Sequence, residues 1–120
     1  LMDPSPTDIR LRKKSRLLTI AFDDGRTFEL TFEYLRVSSP SAEVKGHAQG
    51  QEVLQTGKEN VGIMALEPIG HYALRIIFDD GHDTGLYSWS YLYELGDEQP
   101  ARWQAYLDRL SAAGYARQNQ

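Results

Sequence analysis

No cysteine occurs among the 120 residues. That absence excludes a disulfide framework, a thiolate nucleophile, an iron–sulfur cluster held by this chain, and any cysteine-based zinc site. Long apolar runs are missing as well, since none approaches the roughly 20 residues a helix needs to cross a bilayer. The amino end, Leu1-Met2-Asp3-Pro4-Ser5-Pro6, lacks the basic region and apolar stretch of a secretory leader. The expectation is therefore a cytoplasmic protein without membrane contact. A phosphate-cradling loop is absent too: Gly50 to Gly57-Lys58-Glu59 has the wrong glycine spacing, and Glu59 stands where a Ser or Thr would hold magnesium. The histidines His47, His71 and His82 do not sit at helical or hairpin ligand spacing, so they read as scattered surface residues. A Ser-His-acid triad is defined by proximity, which spacing along one chain does not supply.

What is present suits one domain. With 41% hydrophobic residues, the chain can fill a single core at close to the usual domain size of roughly 100–150 residues. A monomer is expected. The net charge of -4 is unevenly spread. Residues 1–36 hold seven Lys/Arg against six Asp/Glu, and residues 37–120 hold six against eleven. Arg10, Arg12, Lys13, Lys14 and Arg16 form the basic end. A nucleic-acid interface would set such a patch in a basic domain with interleaved aromatics, and here alternation puts Arg10 and Arg12 on one strand face with Ile9 and Leu11 on the other. A solvated strand edge is the better reading, and nucleic-acid binding, which would be steeply salt-dependent, is the weaker one.

Period-two apolar patterning predicts strands at Ile9 and Leu11, at Leu18, Ile20 and Phe22, and at Phe28, Leu30 and Phe32. Asp23-Asp24-Gly25-Arg26 joins the last two as a hairpin, with Gly25 able to take the positive φ of the turn. Glu33 to Val37 loses the alternation and reads as a short helical turn. Ser38 to Asn60 is polar and far longer than a typical connection of about 4–6 residues. Strands resume at Val61 to Leu66, turn at Glu67-Pro68-Ile69-Gly70, and return through Tyr72, Leu74, Ile76 and Phe78, with a brief strand at Thr84 to Tyr87. Ser88 is a good N-cap and Gly96 a good stop for a helix at Trp89 to Leu95. Pro100 opens a last helix, in which Trp103, Tyr106, Leu107 and Leu110 recur at helical spacing up to Gly114. The fold expected is α+β and two-layered: an antiparallel β-sheet built from hairpins, with short helices and a C-terminal helix on one face. Residues 1–7 are expected as a disordered tail, 8–113 as the domain and 114–120 as a flexible tail.

The tetrapeptide Phe-Asp-Asp-Gly occurs twice, at Phe22 to Gly25 and at Phe78 to Gly81. The second copy continues through His82-Asp83-Thr84-Gly85-Leu86-Tyr87-Ser88-Trp89. Asp79, Asp80, Asp83 and His82 are where acid–base or metal chemistry would sit. Asp-Asp-Gly is also ordinary turn chemistry, and the first copy serves a hairpin with no histidine attached. A turn is the leading reading, a partner- or ligand-binding surface the second, and catalysis the third. The aromatic carboxyl half, Tyr87, Trp89, Tyr91, Tyr93 and Trp103, reads first as core and second as a stacking or docking platform.

Three segments carry a resemblance. Glu33-Tyr34-Leu35-Arg36-Val37-Ser38-Ser39-Pro40-Ser41-Ala42-Glu43, Leu66 to Gly70, and Phe78 to Trp89 are similar to the gamma-butyrobetaine hydroxylase-like N-terminal domain family, over residues 8 to about 113. The resemblance implies a domain that in some members precedes a 2-oxoglutarate-dependent iron(II) oxygenase acting on gamma-butyrobetaine or trimethyllysine. In others it is fused to P-loop ATPases of iron–sulfur assembly, or stands alone in bacteria with no assigned activity, the form this chain resembles. It also implies a zinc site, Cys-x-Cys-x-x-Cys with a distant histidine. The matching positions are Ser39, Ser41, Val44 and His82, so no structural zinc is expected. Ser39 and Ser41 are left to hydrogen-bond and tie the loop near His82. The oxygenase chemistry does not carry over: its iron triad lies outside this domain, and His82 is followed directly by Asp83 without the His-x-Asp spacing.

The sequence thus leads to a non-catalytic accessory or protein-interaction domain without a cofactor. Its candidate binding surface is Arg36, Ser39, Ser41, Asp80, His82, Asp83 and Tyr87. The expected partner is an unidentified protein, with an iron–sulfur assembly or oxygenase component as the candidate class. The alternative is a metal- or small-molecule-binding module linked to iron–sulfur cluster maturation.

Overall fold

Alternating apolar residues build two three-stranded antiparallel sheets in the computed structural model, which describes residues 3–48 and 50–118. The first sheet has β1 (Pro6–Arg12), β2 (Leu17–Phe22) and β3 (Thr27–Thr31) in that order, followed by the short helix α1 (Phe32–Val37). After α2 (Ala42–Lys45), the second sheet has β4 (Ile63–Ile69), β5 (Ala73–Phe78) and β6 (Leu86–Ser88), followed by α3 (Trp89–Asp97) and α4 (Gln99–Ala112). The α+β class and the capping helices are as expected, with the strands divided between two small sheets.

The central strands drive the packing. Leu18, Ile20 and Phe22 of β2 and Leu74, Ile76 and Phe78 of β5 are buried and share one core with Leu30, Phe32, Leu35, Leu92 and Leu95. Each such side chain contributes about 1.5–3 kcal/mol by leaving water.

The two halves follow one pattern, and the resemblance reaches individual hydrogen bonds. In the first turn the Phe22 N–H donates to the Arg26 carbonyl at 2.8 Å; in the second the Phe78 N–H donates to the His82 carbonyl at 3.0 Å. Gly25 and Gly81 take φ of 89° and 90°, the left-handed region that a side chain would strain. Asp24 Oδ1 accepts from the Arg26 N–H at 3.0 Å, as Asp80 Oδ1 accepts from the His82 N–H at 3.1 Å. Asp23 exchanges two hydrogen bonds with Ser5, and Asp79 exchanges two with Gly62. Each third strand ends in a helix cap: Thr31 Oγ1 accepts from the Tyr34 N–H and Ser88 Oγ from the Tyr91 N–H, both at 3.1 Å. The tyrosines so placed cross between halves. Tyr34 donates to the Leu95 carbonyl at 2.7 Å and Tyr91 to the Ser38 carbonyl at 2.6 Å, carbonyls at equivalent places after the two caps. Reciprocal contacts of this kind mark an approximate internal twofold.

Several local expectations are corrected. The turn expected at Glu67 to Gly70 falls later, at Gly70 to Tyr72: β4 runs through Ile69, and β4 is an edge strand, where the missing Pro68 N–H costs no ladder bond. Gly96 does not stop α3, which continues to Asp97; a Cβ there would lie 2.3 Å from Phe28 Cγ, so the residue serves close approach. The inner ends of the two expected tails make defined contacts. Ser5 pairs with Asp23 and β1 begins at Pro6, while Tyr115 to Gln118 fold back onto Glu33 and Glu59. Residues 1–2 and 119–120 lie outside the described residues. Within the long connection, Ser41 caps α2 and the Val53 N–H donates to the Val44 carbonyl, so part of it is structured.

Candidate functional site

Helix α1 and the second Phe-Asp-Asp-Gly turn bring most of the candidate residues together. Arg36, on the last turn of α1, donates from Nε to Asp80 Oδ2 at 2.8 Å, and Lys58 Nζ reaches the same oxygen at 2.7 Å. Burial opposes the charge on Asp80, but the hydrogen bonds from Lys58 and Arg36 outweigh it and hold the carboxyl at about 2. Arg36 Nη1 is a buried nitrogen without a partner among the described residues.

The next layer is a relay. His82 Nδ1 lies 2.8 Å from Glu43 Oε1, and its Nε2 lies 2.7 Å from Ser39 Oγ. In a neutral ring whose Nδ1–H donates to the Glu43 carboxylate, Nε2 accepts from the Ser39 hydroxyl. Ser39 Oγ also accepts from the Ser41 N–H, and Ser41 Oγ lies 2.7 Å from Thr84 Oγ1. Tyr87 donates to the Leu35 carbonyl at 2.6 Å, and burial pushes its phenol pKa upward. A Cβ on Gly85 would stand 2.5 Å from Ser39 Oγ, so the backbone passes close to the relay. The loop is thus tied to the second turn by the two serines, Ser39 through His82 and Ser41 through Thr84. Asp83 is not part of the cluster, because it turns away to pair with Arg75.

Much of this cluster has a counterpart in the other half. Tyr93 sits in α3 where Arg36 sits in α1, counted from the two caps, and donates to Asp24 Oδ2 at 2.6 Å. Arg26, the counterpart of His82, reaches Asp97 at 2.7 Å. In each half, therefore, one aspartate oxygen stabilises the turn and the other receives a donor from the opposite helix. The Arg36–Asp80 pair is the charged version of a clamp used twice.

Burial corrects the expected surface. Ser39 and Tyr87 are fully buried, and Arg36, His82 and Ser41 keep only 6%, 4% and 8% exposure. Five of the seven candidates lie inside, holding the segment after α1 against the second turn, so any docking face consists of their neighbours. Sequence reasoning missed Glu43 and Lys58. The only local signal for Glu43 was its place in the first turn of a capped helix, and Lys58 lay in a loop rejected as a phosphate site.

The proximities also permit a test of catalysis. Ser39, His82 and Glu43 have the connectivity of a serine–histidine–acid triad, but a working triad exposes the serine and buries the acid. Here Ser39 is buried while the Glu43 side chain is 61% exposed. No substrate carbonyl reaches Ser39 Oγ without opening the fold. The zinc positions implied by the resemblance fare no better. Ser39 and Ser41 offer hydroxyls, Val44 offers no donor, and Ser39 Oγ already occupies His82 Nε2 by a hydrogen bond. Among the described residues no three His, Cys, Asp or Glu side chains converge as metal ligands. His47 and His71 are exposed and distant in role from His82. No helix among the described residues is long and apolar enough to cross a membrane.

Residues 9–93 match the family described as gamma-butyrobetaine hydroxylase-like, N-terminal. The chain belongs to that family. The gamma-butyrobetaine hydroxylase-like N-terminal match spans both turns and both cap-and-clamp sets and ends inside α3, leaving α4 and the residues beyond it outside. Two NMR solution structures are similar: one at 47% identity with a TM-score of 0.83, covering 98% of this chain and 92% of that one, and one at 54% and 0.81, covering 96% and 86%. A crystal structure of a protein of unknown function from Acidithiobacillus ferrooxidans ATCC 23270, assigned to the DUF971 family, is 40% identical with a TM-score of 0.66 and covers 79% of this chain and 98% of that one. No curated protein matches.

Proposed function

We propose that this gamma-butyrobetaine hydroxylase-like domain is a non-catalytic accessory module that works through protein contacts. The observation that carries the reading is the repeated clamp: the polar residues expected to do chemistry hold the two halves together, as Asp24 and Tyr93 do where there is no histidine. Exposed apolar residues support the contact role. Of the large hydrophobic side chains left exposed among the described residues, Met64, Tyr72 and Leu86 belong to the second sheet or its hairpin turn. Apolar side chains left in water on one sheet and its turn support a partner site there.

The test is affinity capture from extract with the full chain, comparing wild type, M64K/L86K and a T7K control on the first sheet. A reproducible partner lost only with M64K/L86K, at unchanged thermal stability, is the expected result. No reproducible partner, or equal capture by all three, overturns the reading.

A further inference from the structure

A cavity of about 630 Å³ opens between the first turn of α1 and the first turns of α4, lined by Arg16, Phe32, Glu33, Glu59, Trp103 and Arg117 among others. None of the clamp residues lines it. Its two carboxylates are deep: Glu33 is 6% exposed and Glu59 8%. Carboxylates at that depth need partners to stay charged.

Among the described residues, both Glu33 oxygens and one Glu59 oxygen are served by the segment that follows α4. Arg117 grips Glu33 with two nitrogens, Nη2 on Oε1 and Nε on Oε2, the latter at 3.0 Å. The Tyr115 hydroxyl and the Gln118 N–H donate to Glu59 Oε2 at 2.8 and 2.6 Å. The Arg117 guanidinium carbon lies 5.4 Å from the centre of the Trp103 ring. A carboxylate fork combined with an aromatic face is how proteins recognise arginine, and lysine does not reproduce it. The seated side chain is still 34% exposed.

We infer that this cleft is a docking site for an extended, arginine-bearing segment of a partner protein, and that residues 115–118 occupy it in cis. The recognised unit is an arginine together with the next backbone N–H, the first read by Glu33 and Trp103 and the second by Glu59. With Arg117 withdrawn, the lining holds Glu33 and Glu59 against Arg16, whose Nη2 is committed to the Val61 carbonyl, so the vacated site favours a cation. The cavity remaining beside the seated arginine lies within the roughly 300–1,000 Å³ range of ligand pockets and has room for flanking side chains. This inference rests on the interaction reading above but uses a different face, so the two can fail separately.

The probe is fluorescein-labelled Tyr-Ala-Arg-Gln, the sequence of residues 115–118, with Tyr-Ala-Gln-Gln as control, titrated by anisotropy into the full chain. A tethered occupant competes at an effective concentration near millimolar, so R117A should bind the arginine peptide at least about tenfold more tightly than wild type. The control peptide, and the R117A/E33Q chain, should each lose at least about tenfold. Should E33Q fail to fold, the Arg117 Nε–H resonance of wild type provides the second readout, moving to the free-arginine position as unlabelled peptide is added. Equal binding by R117A and wild type, equal binding of the two peptides, or an immobile Arg117 resonance overturns the inference. So does a concentration-dependent dimer abolished by R117A, which would make a second copy the occupant. If M64K/L86K loses its partner while peptide binding persists, the two faces are independent; if only the peptide result fails, the proposed function stands.

Discussion

Asp80→Asn separates the charge of the clamp from its geometry. The amide keeps an oxygen for the His82 N–H, which Asp80 Oδ1 accepts at 3.1 Å, but loses the anion that Arg36 and Lys58 share. Folding lowers the Asp80 pKa from 3.8 to about 2. Near 1.4 kcal/mol per unit this is worth about 2 kcal/mol after allowance for partial solvent screening. The variant also strands Arg36, whose side chain is 8% exposed, without its counterion. The combined loss at neutral pH is about 2–3 kcal/mol, or roughly 8–12 °C in Tm for a domain of this size. Because the folded pKa is depressed, the carboxylate's contribution is complete above about pH 4 and disappears as pH falls toward 2. Urea unfolding followed by tryptophan fluorescence should therefore show a wild-type-to-variant gap that narrows from pH 5 to the lowest pH at which wild type still folds. Asp24→Asn is the internal control, since its clamp partner is the Tyr93 hydroxyl at an exposed site, and its loss should be clearly smaller. A gap below about 0.5 kcal/mol at pH 7, a gap unchanged across the acid range, or equal losses for the two variants would refute the reasoning.

Ser39→Ala removes the donor facing buried His82 Nε2 and should cost about 1–3 kcal/mol in thermal or urea unfolding. Gly96→Ala forces a Cβ to 2.3 Å from Phe28 Cγ and should cost about 2–3 kcal/mol; Gly25→Ala, with open space around it and only its φ of 89° to strain, should cost about 1. Dialysis against EDTA should leave the melting temperature unchanged, and elemental analysis should find less than about a tenth of an equivalent of zinc, because one imidazole and two hydroxyls do not make a structural zinc site.

How much of this was readable in advance depended on distance along the chain. The two hairpin turns were legible because their hydrogen bonds join residues two to four positions apart, within reach of the Asp and Gly that make them. The Ser88 cap was equally local. Pro68 and Gly96 misled for one reason: each is a breaker by propensity, and each has a role that only its neighbours reveal, an edge strand for one and a phenylalanine ring for the other.

The candidate residues divide along the same line. Composition and patterning established that the chain has no thiol chemistry, that its fold is α+β, and that the second Phe-Asp-Asp-Gly turn carries a histidine where the first carries an arginine. Only the tertiary structure decided that His82 points inward to Ser39, 43 positions away, that Arg36 meets Asp80 across 44, and that Arg117 returns to Glu33 across 84. Hydrogen bonds between near neighbours are set by local backbone geometry, whereas those pairings exist only once the two halves have packed around one core and brought distant segments together.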